Sequence, residues 1–428
     1  MDREDPLRHF RDQFHFPQHE GRNTLYFCGN SLGLQPKGAE RAVEKELQRW
    51  RDLGVEGHFV GELPWTAFHR ALAPASAHVV GAREEEVIVM NTLTVNLHLM
   101  MVSFYRPDKE RYKIIMEAGA FPSDQYAVES QVRWHGFRPQ DAIVEVAPRP
   151  GEMLLHTEDI LAAIERHGRE TALVLFGGLN YYTGQLYDME AITAAAHRAG
   201  AYAGFDLAHA AGNVPLHMHD WGADFAVWCT YKYMNSGPGA LSGAFIHERH
   251  AFNPELPRFA GWWGHGRDEK HRFLMEKGFI PTPGAAGWQL SNAPILAFAP
   301  MLASHELFLQ ATMPALREKS LQLTGYLEFL VDQLNAEGLA YRFITPRNTD
   351  ERGAQLSFLT GPEGKALFDF LSENGVICDW REHNLPLAGV EVAKGAGVIR
   401  IAPAPLYNSF EDVFEVVELF RRFAEGKR

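Results

Sequence analysis

Cysteine is scarce in this chain. There are three in 428 residues, Cys28, Cys229 and Cys378, odd in number and widely spaced. That argues against a disulfide framework and against a structural zinc site, which need paired or closely spaced ligands. Cys229 and Cys378 lie in apolar runs and read as small buried hydrophobes. Positive charge is also in short supply. Lys plus Arg number 41 against 54 Asp plus Glu, a net charge of −13 with a pI near 5.9. With no basic run, neither nucleic acid nor an anionic membrane is expected as the main partner. No stretch approaches the roughly 20 apolar residues of a membrane span. The opening Met1-Asp2-Arg3-Glu4-Asp5 is charged where a signal peptide carries an apolar centre, so a cytoplasmic location is expected. Repeats and low-complexity linkers are missing too.

What remains is an ordinary globular composition, 46% hydrophobic and 22% charged. The length suits a large domain with a smaller companion. From about residue 84 the chain alternates. β-prone runs fall at Glu86–Met90, Tyr112–Met116, Ala142–Val146, Ala172–Phe176, Ala201–Phe205, Ala223–Cys229 and Ser242–His247. Helical patterns at Thr94–Phe104, Pro122–Trp134, Thr157–His167 and Met189–Ala199 lie between them. This spacing predicts an α/β fold, a mainly parallel sheet flanked by helices. Beyond it, helical stretches at Met313–Glu337 and Gly364–Asn374 interleave with β-prone runs at Ala354–Phe358 and Val398–Ile401, which predicts a smaller α+β domain. The expected division is an N-terminal arm over 1–60, with a helix at Glu40–Leu53, a large domain over 61–305 and a small domain over 306–428.

Ligands of such sheets sit outside the carboxyl ends of the strands. Two chemical residues fall there. Asp206 ends one apolar run, and Lys232 follows another in Thr230-Tyr231-Lys232-Tyr233, ahead of Gly237 and Gly239. Burial favours the uncharged form of a lysine, the form that attacks a carbonyl. A carboxylate beside a pyridine nitrogen keeps that ring protonated as an electron sink. Together they point to pyridoxal phosphate. Taken singly, each has a plainer reading: a solvated lysine, an N-cap for the segment starting at Leu207, a core histidine at His209. Asn91-Thr92-Leu93-Thr94 offers either an anion cradle at a helix start or a simple threonine cap. Phe121-Pro122-Ser123-Asp124 also follows a strand, with Pro122 suited to a first helical turn. Arg400 is the one charge in Val398–Pro403 and calls for a carboxylate, internal or from a substrate. Adjacent Trp262 and Trp263 in a Gly-rich loop suit a site or an interface.

In this order, these stretches resemble kynureninase, a family of pyridoxal phosphate enzymes with the aspartate aminotransferase type of fold. The similarity runs from Tyr26-Phe27-Cys28-Gly29-Asn30-Ser31 to Arg400-Ile401-Ala402-Pro403 and on through Leu406-Tyr407-Asn408-Ser409-Phe410. The resemblance implies a Schiff-base role for Lys232 and a ring-nitrogen role for Asp206, with His209 near the cofactor. It implies phosphate contacts from Leu93, Thr94 and Tyr231, the last also a proton-transfer residue. Phe121 would stack on the ring, with Pro122, Ser123 and Asp124 beside it. Trp262 and Asn292 would come from the partner subunit of a homodimer. Arg400 would hold the substrate carboxylate, and His58, Asn292, Asn30 and Ser31 would lie near the substrate. The implied reaction is hydrolysis of L-kynurenine, or its 3-hydroxy form, to L-alanine and the aromatic amino acid, with no metal. One departure stands out: some members carry a serine where this chain has Gly177, so a side-chain contact is in doubt there. The rival readings are a cysteine desulfurase or an aminotransferase of the same fold, and a non-catalytic pyridoxal phosphate-binding regulator.

Overall fold

The computed structural model describes residues 1–266, 277–339, 341–382 and 396–426. Its centre is a seven-stranded sheet of β1 (Val87–Met90), β2 (Lys113–Glu117), β3 (Ile143–Val146), β4 (Thr171–Gly177), β5 (Tyr202–Asp206), β6 (Phe225–Cys229) and β7 (Ser242–Ile246). The spatial order is β1-β7-β6-β5-β4-β2-β3. Pairing is parallel from β6 through β3, while β7 runs antiparallel to both its neighbours. The expected strands appear within a residue or two.

Alternation along the strands explains the layering. Ile115, Val174, Phe176, Phe205 and Trp228 enter one apolar cluster. Ile114, Met116, Leu173, Leu175 and Val227 enter another. Successive side chains of a strand point to opposite faces, so apolar runs need cover on both sides. Close approach is set by glycine. A Cβ on Gly204 would lie 2.1 Å from the Phe225 ring, and one on Gly243 would lie 2.0 Å from Trp228.

An ionic knot around the buried Asp224 lies at the amino ends of the central strands β5 and β6. The Asp224 carboxylate accepts from His197 Nε2 at 2.8 Å, the Ala203 N–H at 2.7 Å, Arg249 Nη2 at 2.7 Å and His250 Nε2 at 2.7 Å. Burial alone raises its pKa, but the two histidines, the N–H and the Arg249 charge outweigh that and hold it well below the carboxylate range. A depressed folded-state pKa adds stability above the unfolded value, near 4 for Asp, and the gain is lost as pH falls below it. Asp224→Ala should cost about 3 kcal/mol near neutral pH by leaving buried donors unpaired. Urea midpoints measured at pH 7 and pH 3 check this; the gap between variant and parent should narrow at the lower pH.

The second unit is a four-stranded antiparallel sheet of β8 (Arg342–Phe343), β9 (Leu356–Leu359), β10 (Asp379–Glu382) and β11 (Gly397–Ile401), in the order β8-β9-β11-β10. Helices Met313–Ala336, Gly364–Glu373 and Phe410–Glu425 pack on it. The helix Ile295–Ala311 runs across residue 305, and the turn between it and Met313–Ala336 falls at Thr312, whose φ is 62°.

The first 27 residues bridge the two units: Leu7, Phe10, Phe14 and Tyr26 enter the first apolar cluster of the large sheet, and other residues reach the second unit. Leu25–Tyr26 pairs with Val376–Ile377, and Leu25 and Phe27 enter its core. Asp5 pairs with Lys319 at 2.7 Å, and Arg11 with Asp412 at 2.7 Å. The Asp2 carboxylate accepts the Phe410 N–H at 2.8 Å and the Glu411 N–H at 3.0 Å, capping the last helix.

Candidate active site

Parallel strands put their carboxyl ends on one edge, and four adjacent strands end there in chemical residues or next to them. Cys229 ends β6, Asp206 ends β5, Gly177 ends β4 and Glu117 ends β2. A cavity of about 200 Å³ lies across these ends, with Lys232 on its wall. A larger concavity of about 1080 Å³ elsewhere is lined mainly by apolar side chains, Tyr26, Leu34, Pro238 and Leu296 among them. The chemistry is in the smaller one.

Lys232 Nζ lies 3.0 Å from His209 Nε2. Burial, then the charges of Lys232, Arg400 and Arg381, push His209 well below the usual histidine range. It is therefore neutral, with Nε2 free to accept from the lysine. Its other nitrogen, Nδ1, is buried without a partner among the described residues. Asp206 is buried, and its Oδ1 accepts the Ala208 N–H at 2.7 Å, so it also serves the turn that the simpler reading predicts. Burial raises its pKa, while Lys232, the Ala208 N–H and a hydrogen bond from Asp124 pull it back. Asp124 carries the proton of that hydrogen bond, because burial and the Asp206 charge raise it furthest. Its Oδ1 has no partner among the described residues.

Leu93 and Thr94 also line the cavity. They are the first two residues of the helix Leu93–Phe104, and the cap is Thr92, not Thr94. Asn91, at φ 48°, turns the chain out of β1 into this helix. The first N–H groups of a helix have no intrahelical acceptor, which suits an anion. Phe121 precedes the helix Pro122–Trp134, with Pro122 at its first turn and Ser123 at the cavity wall. Lys232 Nζ lies 5.7 Å from the Phe121 ring centroid, and Tyr181 meets that ring edge-on at 5.2 Å. Burial and the neighbouring Cys229 thiol raise the Tyr231 hydroxyl, which keeps its proton.

Two unpartnered buried polar atoms, a carboxylate beside a carboxylic acid, a lysine amine and a bare helix start thus face one small space. That donor set fits a flat, protonated pyridine ring with an aldehyde and a phosphate tail, as expected for pyridoxal phosphate.

The remaining expected residues lie apart from this cavity within one chain. Trp262 is 46% exposed in the short turn Trp262–Gly264, and Asn292 is exposed. His58 Nδ1 bonds the Val55 carbonyl at 3.0 Å, with its ring against Trp65. Ser31 is exposed, while Asn30 is buried and gives its amide to Gln355 Oε1 at 2.7 Å.

Arg400 has the internal partner that its sequence context left open. Its Nε and Nη2 reach Asp379 Oδ1 at 2.9 and 2.8 Å, and Nη1 reaches the Tyr181 carbonyl at 2.5 Å. Asp379 is shared with Arg381, whose Nε lies 2.9 Å from Oδ1. One carboxylate therefore serves two guanidinium groups. Arg381 and Asp379 were not singled out from sequence, nor was Glu117, although a carboxylate ending an apolar run is the same signal that marks Asp206.

A profile of the class-V aminotransferases matches residues 65–261, and one of the kynureninase C-terminal domain matches residues 316–420. The chain is 56% identical to the kynureninase of Myxococcus xanthus, over 98% of this chain and 94% of that one. It is 53% identical to the kynureninase of Flavobacterium psychrophilum, over 99% and 96%. Among solved structures, a cysteine desulfurase of Escherichia coli superposes with a TM-score of 0.75 at 18% identity, covering 98% of each chain.

Proposed function

The chain belongs to the kynureninase family, and from that premise we propose that the residues around Lys232 hydrolyse L-kynurenine to anthranilate and L-alanine. The family's cofactor is pyridoxal phosphate and its reaction cleaves a carbon–carbon bond in a ketonic substance. The observation that carries the residue-level reading is the Lys232 amine beside neutral His209, facing the buried Asp206–Asp124 pair.

When bound, the cofactor supplies an aldehyde for the lysine and an electron-accepting pyridinium ring. The chain does the rest. Asp206 would keep the ring nitrogen protonated, and Asp124 shares its proton with Asp206 so that two buried carboxyl groups carry a single charge. Leu93 and Thr94 would hold the phosphate with backbone N–H groups and a hydroxyl, and Phe121 would cover the ring. Lys232 would take the Cα proton of the substrate and return it before L-alanine leaves. Water would add to the γ-carbonyl, and the aromatic acid would leave as the Cβ–Cγ bond breaks. Tyr231, still protonated, would give a proton to Cβ. Arg400 takes the substrate carboxylate. The charge count supports this, since Asp379 offsets one of two guanidinium groups and, among the described residues, no second carboxylate pairs with either. A second copy of the chain would bring Trp262 and Asn292, both exposed, to complete the site, with His58 nearby. No described helix is long and apolar enough to cross a membrane; a cytoplasmic homodimer is the setting we infer.

The desulfurase reading lacks its reactive group. Burial raises Cys229 and Cys378, and pushes Cys28 up to about 11, so none is poised as a thiolate. Incubating the holoenzyme with L-kynurenine should release anthranilate and L-alanine in equal amounts. Sulfide from L-cysteine, or pyruvate from L-alanine without anthranilate, would move the chain to the rival chemistries. Running 3-hydroxykynurenine in parallel fixes the ring preference.

A further inference from the structure

Three carboxyl groups line the cavity, and the chemistry above employs Asp206 and Asp124. Glu117 is left. It ends β2, is buried, and no cation pairs with it among the described residues. A buried carboxyl group without a cation is costly unless donors saturate it. Here the donors all come from the last residue of β4 and the segment that follows it. Glu117 Oε2 accepts from Tyr187 Oη at 2.5 Å and from Asn180 Nδ2 at 2.8 Å, and Oε1 accepts the Gly177 N–H at 3.3 Å. A Cβ on Gly177 would lie 2.7 Å from Oε1, so the carboxyl packs directly on the backbone there.

Asn180 passes the constraint on. Its Oδ1 accepts from the Tyr182 N–H at 3.0 Å, the Thr183 N–H at 2.9 Å and the Thr183 hydroxyl at 3.1 Å. That set fixes the turn around Tyr181. The Tyr181 carbonyl is the group that holds Arg400 Nη1, with Gln355 Nε2 on it as well at 3.0 Å. We propose that Glu117 is a positioning residue for the substrate carboxylate, fixing through Asn180 the Tyr181 carbonyl that orients Arg400. This rests on the reading that Arg400 binds that carboxylate.

The test uses holoenzyme and two small probes, followed by the change in cofactor absorbance. L-alanine carries the α-carboxylate; ethylamine is the same molecule without it. Glu117→Ala should weaken L-alanine binding roughly tenfold and leave ethylamine within about twofold. Asn180→Ala breaks the same link from the loop side without removing a carboxyl group from the cavity, and should do likewise. In an Arg400→Ala background either change should add less than about twofold, because groups acting through one contact are not additive. Equal losses for both probes would make Glu117 a merely structural residue, and losses that multiply with Arg400→Ala would separate it from the arginine; either overturns the proposal. If Arg400→Ala weakens L-alanine while the Glu117 and Asn180 variants do not, the proposal alone fails. If Arg400→Ala has no effect on L-alanine, the carboxylate reading falls with it.

Discussion

Replacing Lys232 by alanine should lower kcat by about 10⁴-fold or more, roughly 5 kcal/mol of transition-state stabilisation. It should also remove the visible absorbance of lysine-bonded pyridoxal phosphate. The loss is large because, in the proposed reading, one amine serves twice, first as the covalent tether and then as the base at Cα, so no neighbour can supply half of its role. His209, its hydrogen-bond partner at 3.0 Å, is held neutral by burial and adjacent cations, and it is a hydrogen-bond acceptor for the lysine. The fold should tolerate the change. Lys232 is only half-buried, and its side chain makes no ion pair among the described residues. Turnover and thermal melting measured together decide the matter. Near-parental kcat in the alanine variant would end the assignment, whereas a collapse in melting temperature would show that the lysine is mainly structural.

Asp206→Asn is the second large effect, about 10³-fold in kcat, or roughly 4 kcal/mol. Asparagine keeps the shape and the acceptor that the Ala208 N–H uses, so the turn after β5 should persist. What disappears is the negative charge that, in the proposed reading, keeps the ring nitrogen protonated. Asp124 cannot replace it. Its pKa is raised by burial first and then by Asp206, and burial still favours its protonated form once the Asp206 charge is gone. Stability should be unchanged or slightly higher, because a buried charge is costly to retain. The combination to look for is a collapse in kcat and in cofactor affinity with an unaltered melting temperature. A kcat within tenfold of the parent would take Asp206 out of the cofactor's reach.

The sheet was legible because its strands are short apolar runs bounded by turns, and both faces need burial. That pattern located β1 to β7 within a residue or two. The helix Ile295–Ala311 was not legible. It is apolar around its whole circumference, buried on several sides and interrupted by Pro300, so no periodicity marks it. The site divides in the same way. Lys232, Asp206, His209, Thr94 and Asp124 sit where strands end, and strand ends can be read from composition. Glu117 escaped because the β-prone run was closed at Met116, one residue short of it. Asp379 and Arg381 escaped because their importance depends on a pairing with Arg400 across neighbouring strands β10 and β11, and nothing in the spacing of those residues announces the partner.

The attachment of the first residues to the last helix bears on how the chain is made. Asp2 and Arg11 find their partners at Phe410, Glu411 and Asp412, about 400 positions later. During synthesis from the N-terminus, β1 to β7 are all available before any of those partners exist. The opening segment, with Leu25 and Phe27 exposed, must therefore wait through the synthesis of about 400 further residues. Contacts of such long sequence separation form slowly. The seam between the opening segment and this helix is accordingly among the last to close. Its apolar residues are the ones most in need of shielding until then.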